Sequence, residues 1–515
     1  MSIKKIGLSA LVMGSTLIAG CGSDSGDSSN TYLTYYNLSP NKASVLLYDD
    51  DTLISVVGYE STSSLKTLES GTNKIELKVE VSEDLNETLY EEDINLGKDK
   101  FNYLISFNDL GEDSADNLPV LFRFDNKSGD IDEETFEFNL MHLAPEISSL
   151  HGEITVEFVS TEDYAAAVND GNDDDNDYTV LESFNVNFKE SKTLTIDDDA
   201  EKYYVILKDS EGTQILRSAS IAFGESQYFF ALKDSKLNDT LIPSLARIYN
   251  STGATLEFRD TSLESYFRIY NSADALGEVS LKLNGEALTD DEGNEYVQNV
   301  APDTLSLFGT LEPENVGTYN VTLQHDDCSE AEDAPLADKC SSSPYSFRNG
   351  EDKTIVYYRG EPNDDRQTEL ENIAFSNTNR AITDNHQVTF VNLLNNQGDD
   401  AVDFYFVKKG EFIDNSAYSL IQRELGDINR FVIPSGTYDI YLTYDNENDV
   451  PVTLASEFNV EFGSDEGDQL GDWIIFAEPA NDQADGSVDV SVSGRDAVLN
   501  RVPMNDTAAE ASKSE

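Results

Sequence analysis

The densest chemical feature of the sequence is an acidic run, Asp170-Gly171-Asn172-Asp173-Asp174-Asp175-Asn176-Asp177, with no Lys or Arg from Glu162 to Asp177. Hard oxygen ligands suit calcium, so Asp170, Asp173, Asp174, Asp175 and Asp177 are the calcium candidates of the chain. The EF-hand pattern fails, because Asp175 stands where the loop needs its glycine and Leu181 where it needs its bidentate glutamate. A solvated acidic loop is the favoured reading, and no metal site is assigned. A second acidic group, Asp326, Asp327, Glu330, Glu332, Asp333 and Asp338, is a weaker candidate.

Catalytic chemistry finds little support. The four histidines, His142, His151, His325 and His386, are scattered along the chain, and a lone histidine in a strand or loop is usually structural. No H-E-x-x-H, G-x-S-x-G or P-loop pattern occurs. With 99 Asp plus Glu, any chosen carboxylate pair is uninformative, and the expectation is that the protein is not an enzyme and carries no cofactor. Those 99 acids face 34 Lys plus Arg, a net charge of −65 that excludes nucleic acid as a partner for want of a basic stripe.

The three cysteines are more informative. Lys4 and Lys5 precede an uncharged, mostly apolar stretch from Ile6 to Ala19, which ends in Leu17-Ile18-Ala19-Gly20-Cys21. This resembles the lipobox of bacterial lipoproteins and implies lipidation of Cys21 after removal of residues 1–20; the rival is an ordinary secretory signal with a chance cysteine. Each buried acyl CH₂ is worth roughly 0.8 kcal/mol, so two or three chains would make the anchor almost permanent. Gly22 after the cysteine, by the same resemblance, implies the outer membrane of a bacterial cell envelope. Cys328 and Cys340 are then left as a pair for an oxidising compartment, a disulfide worth about 2 to 4 kcal/mol. Two isolated thiols make a poor zinc site.

The elements that must carry these residues are strands. Runs such as Lys74-Ile75-Glu76-Leu77-Lys78-Val79 alternate with period two between Gly, Asn, Asp and Ser clusters. The nearest helix candidate is Tyr164 to Val168, capped by Thr161 or Asp163. Four segments open alike: YYNLSP from Tyr35, NLMHLAP from Asn139, RIYNSAD from Arg268 and TFVNLLN from Thr389. Each is followed by an alternating strand, which carries Tyr203, Tyr319 or Tyr438 in the second, third and fourth units, then by a turn glycine, Gly97, Gly224, Gly350 or Gly463, and an aromatic strand. The three tyrosines are expected in the core.

The spacing predicts an all-β chain of four tandem immunoglobulin-like β-sandwich repeats after a lipoprotein signal peptide. The expected divisions are a signal peptide at 1–20, a polar tether at 21–31, repeats at 32–130, 131–260, 261–383 and 384–503, and a disordered tail at 504–515. Cys328 and Cys340 fall on an insertion of the third repeat.

The repeats resemble the domain of unknown function 4397 family, whose repeat opens with a strand ending in a His-Ala-Ser-Pro-like turn. His142-Leu143-Ala144-Pro145 is the nearest copy, Asn37-Leu38-Ser39-Pro40 keeps the Ser-Pro, and Pro434-Ser435-Gly436-Thr437-Tyr438 matches a Pro-x-Gly-x-Tyr strand start. The third and fourth repeats lack the His and Pro. The resemblance implies exported β-sandwich repeats and no reaction.

The functional expectation is a non-enzymatic, lipid-anchored cell-envelope protein that presents its repeats for adhesion, scaffolding or envelope organisation, as a rod with exposed loops. The alternative is a surface or periplasmic binding module for a small ligand or glycan. Expected partners are the membrane, through the N-terminal lipid, and a protein or glycan at the cell surface. A cleft between repeats lined by converging polar side chains would favour binding.

Overall fold

The computed structural model describes residues 30–504 except 83–84, 112–116, 128–130, 170–177, 198–199, 238–239, 250–254, 273–276, 290–294, 296, 307, 326–339, 363–367, 379–384, 395–400, 414–415, 417, 446–450, 464–471 and 480–496. The chain is all-β, with its described strands in eight sheets that pair into four consecutive sandwiches. Two short helices, Pro145–His151 and Thr161–Asn169, both belong to the second sandwich. The second of these begins beyond Ser160, whose hydroxyl accepts the Asp163 N–H at 3.0 Å, so Ser160 provides the cap expected from Thr161 or Asp163.

Each sandwich repeats one topology. The opening strands, Asn30–Leu38, Thr135–Leu143, Ser265–Asn271 and Asn385–Asn392, each lie parallel to the late aromatic strand of their own repeat. Those partners are Lys100–Phe107, Gln227–Leu237, Asp352–Pro362 and Trp473–Pro479. The remaining ladders are antiparallel, so each of these sheets is mixed. The facing sheet of the first sandwich runs Thr52–Gly58, Ser44–Asp49, Gly71–Ser82, Leu85–Leu96, and the other three follow suit.

The parallel pair is buried on both faces, which explains why its sequences are nearly continuous apolar runs. In the first sandwich Leu33 and Tyr35 face the internal core with Val45, Leu47 and Ile75, while Tyr36 and Leu38 face outward onto the second sandwich. There they meet Met141, Leu143 and Phe229, and the Phe229 ring lies 4.9 Å from that of Tyr103. The third and fourth sandwiches repeat the arrangement: Tyr270 stacks on Phe476 at 3.7 Å, with Val391, Leu393 and Ile474 around them. The sandwiches therefore dock face to face in pairs, and the expected end-to-end rod is not formed. Two apolar faces per opening strand demand two cores.

The turn after each opening strand is held by one buried polar side chain at an equivalent position. Asn37, His142 and Asn392 each accept the backbone N–H two residues on, from Ser39 at 3.1 Å, Ala144 at 3.3 Å and Leu394 at 3.1 Å. Asn271, at the same place in the third sandwich, donates instead to the carbonyls of Gly277 and Val300.

The three tyrosines lock the return strand. Tyr438 donates to the Pro434 carbonyl at 2.8 Å, Tyr203 to that of Asp197 at 3.1 Å, and Tyr319 to that of Asn315. Tyr203 and Tyr438 are fully buried and Tyr319 is half-buried. Asn73 plays this part in the first sandwich, donating to Glu69 at 3.1 Å. Thr31, in the expected tether, and Met504, at the head of the expected tail, are both buried at the edges of the fold.

Candidate functional site

Most of the residues singled out in the sequence lie outside the described residues: Cys21, Cys328, and the acidic run with Asp170, Asp173, Asp174, Asp175 and Asp177. Cys340 immediately precedes the strand Ser341–Ser346. Among the described residues no group of three or more His, Cys, Asp or Glu is arranged to hold a metal, and no helix is long and apolar enough to cross a membrane. The histidines are spread through the fold. His142 is fully buried beneath its turn, and burial pushes its imidazole down to about 4, against a smaller opposing pull from Glu190. His386 is buried against Ser435 at 3.2 Å, His325 is buried in the third sandwich, and His151 lies 3.6 Å from Asp209.

Among the described residues, one feature with the means to bind something is a cavity of about 1080 Å³ to which all four sandwiches contribute. The first sandwich supplies Pro40, Ala43 and Glu60 beside its opening turn; the second supplies Glu146 after its own opening turn, and Lys233 and Glu257 from strands on either side of Thr240–Ile248. The third brings Arg348 and Glu351 from its glycine turn, and the fourth brings Asn385, Gln387 and Arg430 from two adjacent strands. The first and fourth sandwiches touch here directly, where the Ala43 N–H donates to Asn385 Oδ1 at 2.6 Å.

One wall is an ion cluster spanning three sandwiches. Lys233 is 2% exposed, and its ammonium lies 2.5 Å from Glu60 of the first sandwich and 2.6 Å from Glu257 of the second. Arg259 reaches Glu257 at 3.1 Å and also donates to the carbonyl of Gly350 in the third sandwich. Gly350 has φ +69, and a Cβ there would lie 2.9 Å from Arg259 Cδ, so the approach depends on glycine. Burial opposes the charge on Lys233, but Glu257 and Glu60 more than offset it and hold its pKa above the usual lysine value. Burial likewise opposes charge on Glu257, and Lys233 with Arg259 reverses this and holds the carboxyl well below the usual range. Buried pairs add little net stability over an apolar isostere, but they tolerate no loss of one partner.

The other acids of the wall are also engaged. Asp234 accepts the N–H groups of Glu146 and Ile147 at 2.8 and 3.0 Å, capping the helix Pro145–His151. Burial raises its carboxyl to about 6, these two hydrogen bonds notwithstanding. Glu351 takes Lys353 at 2.9 Å and the Arg348 N–H at 3.0 Å, and Asp352 takes Asn377 at 2.8 Å.

None of these charged wall residues was singled out from the sequence. One signal was present: Lys233 directly continues the buried face of Phe229 and Ala231. A lysine on the second buried face of a strand calls for anionic partners from elsewhere in the chain.

No family model matches the chain, and no curated protein matches it either. Among solved structures the chain is similar to the Bacillus anthracis TIE protein at 10% identity, over 87% of this chain and 67% of that one, with a TM-score of 0.14. It is similar to the shaft pilin SpaA from Lactobacillus rhamnosus GG at 12% identity, over 44% of this chain and 97% of that one, with a TM-score of 0.11. The major pilin subunit BcpA of Bacillus cereus gives 10% identity over 66% and 99%, with a TM-score of 0.12. At such TM-scores these likenesses carry no functional weight.

Proposed function

We propose that the protein is a non-enzymatic binding module of the bacterial cell envelope, anchored by lipid on Cys21, that captures a small ligand or glycan in the cavity shared by its four sandwiches. The observation that carries this reading is the cavity itself. Its volume of about 1080 Å³ lies just above the usual range for small-molecule sites, and charged side chains converge on it from separate repeats. Adhesion or scaffolding by loops along a rod loses its premise once the sandwiches dock face to face. The repeat pattern and the His142-Leu143-Ala144-Pro145 turn support membership of the domain of unknown function 4397 family, and the Leu17 to Cys21 pattern supports export to the outer membrane with a Cys328–Cys340 disulfide.

The test is native mass spectrometry of the lipoprotein, purified from its own membranes in mild detergent, followed by thermal-shift screening against a broad glycan and metabolite panel. A co-purifying small mass, or a ligand that raises the melting temperature, supports the reading. An empty protein that no compound stabilises overturns it. Incorporation of labelled fatty acid, lost in Cys21→Ala, tests the anchor separately.

A further inference from the structure

The hydrogen-bonding capacity left open on the cavity wall is unequal in sign. Glu60, Glu257, Asp234, Glu351 and Asp352 all accept bonds from protein donors, and Glu80 is also engaged. Against this, the Arg348 guanidinium is exposed to the cavity and has no partner among the described residues. Arg430 is exposed too, and its one hydrogen bond among the described residues goes to a neutral group, the carbonyl of Ser376. The acid that acts on it electrostatically, Asp472, already accepts from Thr378 at 2.6 Å and from the Gln387 N–H at 2.9 Å. Although Arg430 is exposed, the protein atoms beside it take part of its hydration and lower its pKa, with only a partial counterweight from Asp472.

Both arginines are tied to the third sandwich, Arg348 by its place in the glycine turn and Arg430 by its bond to the Ser376 carbonyl. Ser376, to which Arg430 bonds, is the register partner of Lys353, and Lys353 in turn pairs with Glu351 of the turn that carries Arg348. The cavity lining as a whole holds more acids than bases, but among the described residues these two arginines are wall cations that no ion pair joins to a carboxylate, so they are wall positions suited to an anionic group. On the second sandwich, Glu146 is the exposed wall acid whose carboxylate has no partner among the described residues. It would repel a second anionic group at that side.

We propose that the cavity binds a small polar ligand bearing a single carboxylate, which Arg348 and Arg430 take while the uncharged or amino remainder lies toward Glu146. An acidic monosaccharide has this chemistry. Guanidinium forks match a carboxylate in shape as well as charge, and lysine does not. The inference rests on the binding reading above and narrows it to one ligand class.

Isothermal titration of the full mature chain with glucuronate, glucose, glucosamine and inorganic phosphate tests it. The expected result is binding of glucuronate, weakened about ten- to hundredfold in Arg348→Gln and in Arg430→Gln. Arg430→Lys keeps the charge and should recover only part of the loss. Because both arginines are exposed, the melting temperature of each variant should stay near that of the parent, which separates lost binding from lost folding. Glucose binding as tightly as glucuronate, indifference to either arginine substitution, or phosphate binding with glucuronate silent each overturns the carboxylate assignment. Silence of all four probes also overturns it, while the binding reading then stands or falls on the broad panel.

Discussion

The Lys233 ammonium of the second sandwich lies 2.5 Å from the Glu60 carboxylate of the first, in an otherwise buried setting. The contact joins two repeats far apart in sequence, and Glu257 and Arg259 extend it to the third. Lys233→Met should destabilise the protein by about 3 to 5 kcal/mol, since two carboxylates would lose their common cation. Urea unfolding measures this, and adding Glu257→Leu to the same chain should restore part of the loss.

His142 should be replaceable by asparagine but not by leucine. Asn37, Asn271 and Asn392 occupy the equivalent position in the other sandwiches, whereas leucine leaves the Ala144 N–H without its acceptor, at about 1 to 3 kcal/mol. There is a pH signature as well. Burial holds the folded imidazole at about 4, below its unfolded value, so its contribution is fully present above the unfolded pKa and is lost as pH falls toward the folded one. His142→Asn should therefore lose less stability than the parent on mild acidification, as read by thermal melts.

Glu478 should act in the opposite direction at the junction of the third and fourth sandwiches. Tyr270 donates to it at 3.0 Å and Asn500 also bonds it; burial first, then the nearby Asp303, raises its pKa to about 7 against the lowering pull of its hydrogen bonds. The folded protein then holds a proton that the unfolded chain releases, so stability is lost as pH rises from the unfolded carboxyl pKa through about 7. Glu478→Gln removes this dependence. Melting temperatures at about pH 5 and about pH 8.5 should fall more for the parent than for the variant.

A disulfide between Cys328 and Cys340 predicts a linked peptide in non-reducing digests and about 2 to 4 kcal/mol of stability that dithiothreitol removes. Separate, alkylatable thiols in the oxidised protein would disprove the pairing.

The strands and the fourfold recurrence were legible in the sequence because they are local. Tyr203, Tyr319 and Tyr438 mark one strand, and their hydroxyls close on carbonyls a few residues upstream. The doubled burial of Tyr35 and Tyr36 was written in the sequence too, as an apolar pair where half-buried strands alternate. The cavity was not legible. It depends on which outer face meets which, and only the assembled fold brings Glu60 to Lys233 or Ala43 to Asn385. The donor that gives the first turn its hold on the fourth sandwich is a backbone N–H, which carries no sequence signal.

The parallel pairing of opening and late strands also sets an order of events in time. Tyr32 pairs with Phe101, Glu137 with Gln227, Tyr266 with Asp352 and Val388 with Trp473, so the first strand of every repeat waits for a partner near that repeat's end. A chain emerging N-terminus first cannot close any sandwich until nearly all of that repeat has appeared, and such long-range closure is slow. Until then its apolar opening strands are bare, and the dense negative charge along the chain is what keeps unfinished copies apart.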